Sequence, residues 1–331
     1  MIARAEAPWT AITTLATVLG CGGASSDDDD GASTVPATAG EGGSTEGATS
    51  SEPGTGTGTA TDEGPGSEGT ATDGTDGGST SDEPPPGCGS PPVWCPGPST
   101  SWQWQLTGPL DTSLDVAMYD VDLFDNDAGT IADLQAQGRV AICYFSAGSH
   151  EDWRPDADQF PAPAIGMPLD GWPGERWLDV RDETVRQVLA ARLDLAVSKG
   201  CDGVEPDNVD GYSNDTGFPL SAADQLDFNT WLAGQAHMRG LSVGLKNDLD
   251  QIGELLPHFD WALDEECMAY DECDRLAPFV DAGKAVFHVE YVDDPAQGPE
   301  LAAQICPDAL DRSFSTLVKG WDLDAWVIPC E

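Results

Sequence analysis

The chain has 331 residues, of which 59 are Asp or Glu and only 14 are Lys or Arg, for a formal net charge of −45 at pH 7. The acidity is not confined to one end, because residues 101–331 carry 44 acidic against 13 basic side chains. Such a surface repels nucleic acid and anionic lipid headgroups and attracts cationic ligands, although solubility or salt adaptation explains the charge equally well.

Residues 1–20 form a modest apolar run that ends in small and apolar residues directly before Cys21. This reads as a signal peptide of lipoprotein type, with Cys21 as the lipid-bearing residue; a plain secretory signal is the alternative. The run is too short to span a bilayer, so membrane contact is expected only through that lipid anchor. Residues 21–93 are almost entirely Gly, Ser, Thr, Ala, Pro, Asp and Glu. They bury too little apolar area to offset the chain entropy lost on ordering, and they read as a disordered acidic linker. Residues 94–331, rich in Trp, Leu and Val, suffice for one substantial core.

Within that domain short apolar runs alternate with amphipathic stretches. Strands are predicted at 102–106, 116–123, 140–146, 176–180, 202–206, 241–246, 260–264, 285–291 and 315–318. Helices are predicted near 127–137, 182–199, 221–239, 249–256, 274–282 and 299–310. In the clearest helix Val185, Leu189, Leu193 and Val197 recur at helical spacing, Asp182 and Glu183 suit its start, and Gly200 ends it. Repeated strand-then-helix units imply a parallel sheet, and about eight of them imply an α/β fold of the (β/α)8 TIM type. No Gly-rich dinucleotide fingerprint or P-loop favours an open doubly wound sheet.

Apart from Cys21, eight cysteines remain, an even number that suits oxidation in pairs in an exported domain. Cys88 and Cys95 bracket a Pro-rich turn, Cys267 and Cys273 are similarly close, and Cys306 and Cys330 flank the last strand. Elimination leaves Cys143 facing Cys201. With no CxxC pair and four scattered His, no metal site and no cofactor are expected.

In such a barrel, chemistry sits where strands end. The polar residues there are Asp120 and Asp122; Tyr144 and Ser146; Asp179; Glu205, Asp207 and Asn208; Lys246 and Asn247; Asp264, Glu265 and Glu266; Glu290 and Tyr291; and Lys319. A barrel without chemistry has no need of ionisable groups at almost every strand end.

The blocks CYFSAGSHEDWRPD (143–156), WLDVR (177–181), GCDGVEPDNVDGY (200–212), GLKND (244–248), ALDEECMAYDEC (262–273), VFHVEY (286–291) and STLVKGWDLDAWVIPC (315–330) resemble glycoside hydrolase family 114. That resemblance implies a barrel enzyme acting as an endo-α-1,4-polygalactosaminidase. It points to Asp207 and Glu265 as the catalytic carboxylates and to Asp179 as a third acid in the same cleft. One departure stands out: where many relatives read Asn-Glu-Gln-Cys, this chain reads Asp264-Glu265-Glu266-Cys267.

The chemistry agrees with the resemblance, since glycoside hydrolysis needs one carboxylic acid and one carboxylate, and crowded acids split their pKa values. Asp207 is expected as nucleophile or base and Glu265 as acid. Glu205, Asn208, Tyr144, Lys246, Asp120, Glu290, Tyr291 and Trp104 are expected to bind substrate. A cationic, partly deacetylated galactosamine polymer suits the acidity, and the protein is expected at the cell surface or secreted, as a monomer. Trp102, Tyr119 and Trp153 join Trp104, Tyr144 and Tyr291 as stacking candidates, with core packing as the alternative. Two other readings stay open: a metal-dependent barrel phosphodiesterase, and a surface glycan-binding barrel without turnover.

Overall fold

The computed structural model describes residues 93–331. Its strands are β1 (Trp102–Gln105), β2 (Met118–Asp122), β3 (Val140–Ser146), β4 (Ser149–Glu151), β5 (Ile165–Pro168), β6 (Glu175–Leu178), β7 (Gly203–Asp207), β8 (Ser242–Lys246), β9 (Trp261–Glu265), β10 (Val286–Val292), β11 (Ser315–Gly320) and β12 (Ile328–Pro329). Its helices are α1 (Ala128–Ala136), α2 (Glu183–Lys199), α3 (Ala222–Met238), α4 (Ile252–Leu255), α5 (Ala277–Asp281) and α6 (Gly298–Asp311). Cys21, Cys88 and the expected signal and linker lie outside the described residues. No helix among the described residues is long and apolar enough to cross a membrane.

Eight strands pair in parallel in the order β1-β2-β3-β7-β8-β9-β10-β11, giving the expected (β/α)8 TIM-type architecture. The end strands meet where the Trp102 indole donates to the Ser315 carbonyl (2.8 Å) and where Leu106 and Thr107 N–H donate to Leu323 O. The C-terminal segment then returns as β12, antiparallel to β11, and Cys306–Cys330 ties it to α6.

The 176–180 stretch was expected in the barrel, but the structure places it as β6 in a separate antiparallel sheet, β4-β6-β5. A parallel neighbour for β3 needs a crossover, and the first α-helix after β3 is α2, which follows β6. β4, β5 and β12, of two to four residues, are too short to carry a periodic signal.

Local chemistry explains the element ends. Asp182 caps α2 by accepting from Thr184 and Val185 N–H, and Gly200 closes it in the left-handed region at φ 87°. Ser221 and Asp224 form a capping box at the start of α3.

Period-two alternation divides the strands between two cores. Inside the barrel, Trp102, Trp104, Met118, Ile142, Trp261, Leu263, Phe287, Val289 and Leu317 form one apolar cluster. Outside it, Tyr119, Val121, Cys143, Phe145, Val204, Val243 and Leu245 pack under Leu189 and Leu193 of α2 and Phe228 and Leu232 of α3. A glycine makes the interior possible: a Cβ on Gly244 would come within 2.1 Å of the Trp261 ring. Disulfides also join Cys143 to Cys201, linking β3 to the approach of β7, and Cys267 to Cys273 after β9.

Candidate active site

Three neighbouring strands, β7, β8 and β9, end on Asp207, Lys246 and Glu265. Each turns out of the barrel through a residue with left-handed backbone: Asn208 (φ 61°), Asn247 (φ 48°) and Glu266 (φ 61°). Strained backbone at three adjacent strand ends marks a place where geometry outweighs local stability. Lys246 is almost fully buried, and its Nζ lies 3.1 Å from Glu205 Oε1, 3.1 Å from Asp207 Oδ1 and 3.1 Å from Glu265 Oε2. Of its three N–H donors one hydrogen-bonds Glu205, while Asp207 and Glu265 lie within ion-pair distance. Burial pulls Lys246 down, but Asp207, Glu205 and Glu265 outweigh it and hold the amine well above its usual range.

Each of the two mouth carboxylates has further donors. Asp207 accepts from Asn208 N–H (2.8 Å) and the Tyr144 hydroxyl (3.0 Å); Glu265 accepts from Asn247 Nδ2 (3.2 Å) and, in a short contact, the Tyr291 hydroxyl. Burial first, then the adjacent carboxylates, raises both phenols well above the ordinary tyrosine range, so they remain donors. Asp207 and Glu265 are the partly exposed members of the group, with side chains 19% and 26% accessible. A ligand reaching the mouth meets these two first.

Other expected contact residues lie elsewhere. Asp120 and Glu205 have no exposed surface and Trp104 is 1% exposed, so a sugar in the mouth reaches none of them. They point inward but sit one layer below the strand ends, with Trp104 Nε1 donating to Glu205 Oε2 (3.0 Å). Glu290 faces away from the barrel interior, since Tyr291 takes the inward position, and its Oε1 accepts from Met268 N–H (2.9 Å). Asp179 is held in a fork with Arg181 (2.8 and 2.9 Å), which pulls its carboxyl down. Asp122 pairs with Arg154, and Lys319 Nζ donates to Asp324 O. Trp102 and Tyr119 are core residues, whereas Trp153 is 52% exposed.

The model of glycoside-hydrolase family GH114 matches residues 85–331. The chain belongs to this family. The crystal structure of Aspergillus fumigatus Ega3 in complex with galactosamine is 47% identical, covering 72% of this chain and 97% of that one, with a TM-score of 0.69. The glycoside hydrolase domain of PelA from Pseudomonas aeruginosa shares the fold at 16% identity, with 70% and 98% coverage and a TM-score of 0.55. An uncharacterized protein of Deinococcus radiodurans is 29% identical over 255 residues, 66% of this chain and 82% of its own length. The protein is thus a glycoside hydrolase of a TIM-type fold.

In this GH114 chain two features of the mouth escape strand-end reasoning. Trp321, after β11, stacks on Tyr291 at 4.1 Å and 13°. Its place in a loop gave no periodic signal. Behind Asp207, Asn208 Nδ2 donates to Ser146 Oγ (2.9 Å), Ser146 contacts Ser149 Oγ (2.7 Å), and Ser149 donates to Glu175 (2.6 Å). Burial foremost raises Glu175 to about 7. This relay crosses from the barrel to the small sheet, a contact invisible without the fold.

Proposed function

We propose that this GH114 enzyme cleaves α-1,4-linked galactosamine polymers with retention of configuration, Asp207 acting as nucleophile and Glu265 as acid and then base. The carrying observation is the shared ammonium. Because Lys246 Nζ is 3.1 Å from an oxygen of each, those oxygens lie at most twice that, about 6.2 Å, apart. The roughly 5–5.5 Å separation of retaining pairs lies within that bound, which supports direct attack. Glu265 gives its proton to the glycosidic oxygen as Asp207 attacks C1 and the C1–O bond breaks. Glu265 next takes a proton from water, whose oxygen displaces Asp207 from C1.

Galactosamine bound to Ega3, together with the −45 net charge, supports a cationic polymer as substrate. Asp210, Glu266 and Asp293, just beyond β7, β9 and β10, offer carboxylates to its ammonium groups. Three disulfides support export to an oxidising compartment, with Cys21 proposed as the lipid-bearing anchor.

Incubating the full chain with deacetylated α-1,4-galactosamine polymer should release new reducing ends whose first-formed anomer, by NMR, is α. Asp207→Asn and Glu265→Gln should each lower kcat by at least about a thousandfold. Binding without cleavage by the wild type would overturn the enzymatic reading, and loss of activity with EDTA would support the metal-dependent alternative.

A further inference from the structure

Beneath Lys246 the barrel encloses two more acids, Asp120 on β2 and Glu205 on β7. Both are fully buried. Glu205 is well supplied with donors, Trp104 Nε1 on one oxygen and Lys246 Nζ on the other. Asp120 is not: among the described residues neither of its oxygens receives an N–H or O–H. Its carboxyl instead adjoins that of Glu205 within the same closed interior. Two carboxyl oxygens can meet this way only with a proton between them, because an ionised carboxylate accepts and cannot donate.

We propose that Asp120 and Glu205 hold one proton between them and act as positioning residues for Lys246, and through it for Asp207 and Glu265. The proposal rests on the reading of those two as the catalytic pair. Fully ionised, the interior would place four carboxylates around one ammonium; the shared proton removes one negative charge at the deepest point. The charged groups that face the pair are Asp122 from β2, Asp207 from β7, Lys246 from β8 and Glu265 from β9, with the hydroxyls of Tyr144 on β3 and Tyr291 on β10. Burial first, and then the Glu205 charge, raises Asp120 well above the carboxylate range. Glu205 rises to about 7, again through burial first, against the pull of Lys246. Loss of the proton adds a negative charge below Lys246 and draws the ammonium away from Asp207 and Glu265. The alkaline limb of kcat therefore reports on the pair as well as on the acid Glu265.

Asp120→Asn still donates to Glu205 but has no proton to release. It should move the alkaline limb upward by about one pH unit or more. Asp120→Leu, which donates nothing, should lose about tenfold or more in kcat with little change in KM, and Asn should restore most of that loss. Infrared spectra need no substrate: the protonated-carboxyl band of the wild type at pH 7 should be weaker in Asp120→Asn. An unmoved alkaline limb together with an unchanged band overturns the proposal. Should Asp120→Asn not fold, 13C-labelled wild-type carboxyls carry the test, with one Asp and one Glu expected to titrate as a coupled pair; independent titration overturns it. A wild type that leaves the polymer uncut removes the reading of the reaction, while the infrared and NMR results still decide the protonation of the pair.

Discussion

A single ammonium organises the mouth, and that puts Lys246 under more constraint than either carboxylate it holds. Lys246→Met keeps the bulk of the side chain but leaves Glu205 buried without its cation. Breaking a buried pair in this way typically costs about 3–5 kcal/mol. Urea denaturation should show a loss of that order, and kcat should fall at least about a hundredfold as Asp207 and Glu265 lose the cation that positions them. At this scale the sequence was informative about type and less so about facing. Asp207, Glu265, Lys246, Tyr144 and Tyr291 all stand at predicted strand ends, and the structure brings them together. Glu290 stands at a strand end too, next to Tyr291, but alternation lets only one of two neighbours face inward. Depth was equally hidden: Asp120 and Glu205 share the inward face but lie a layer too low to touch a ligand.

Elements were the most legible level, because strand and helix periods are local properties. Every barrel strand and every α-helix falls on a predicted segment, with ends displaced by a few residues. The exception, β6, has the alternation of a strand but lacks the helical crossover that would carry it into the barrel, and only chain order exposes this. Tight elements also show what the barrel tolerates. Gly244 lies against Trp261, so Gly244→Ala should force that ring from its rotamer and lower stability by about 1–3 kcal/mol or more. Thermal unfolding checks this, and an unchanged Tm would mean that the indole has another place to go.

Across the whole molecule, buried acids set the response to pH. Burial raises Glu175 and Glu205 to about 7 and Asp248 to about 8 in the folded chain. In the unfolded chain such groups titrate near 4, so the folded state holds more protons between these limits. Their contribution to stability is complete below roughly pH 4 and is lost as pH rises through 7 to 8. Tm should therefore decline from pH 5 to pH 8.5, in the same direction as the growing self-repulsion of an acidic chain. Asp248→Asn should flatten the decline, as scanning calorimetry across that range would show. The C-terminal return has an effect of a different kind. The segment that carries Trp321 to its stack on Tyr291 is fastened by Cys306–Cys330, whose cysteines are only partly buried, whereas Cys143–Cys201 and Cys267–Cys273 lie in the interior. Accessible bridges yield first to a reductant. Mild reduction should thus loosen the wall that Trp321 builds against Tyr291 and raise KM more than it lowers kcat, which steady-state kinetics with and without reductant would check.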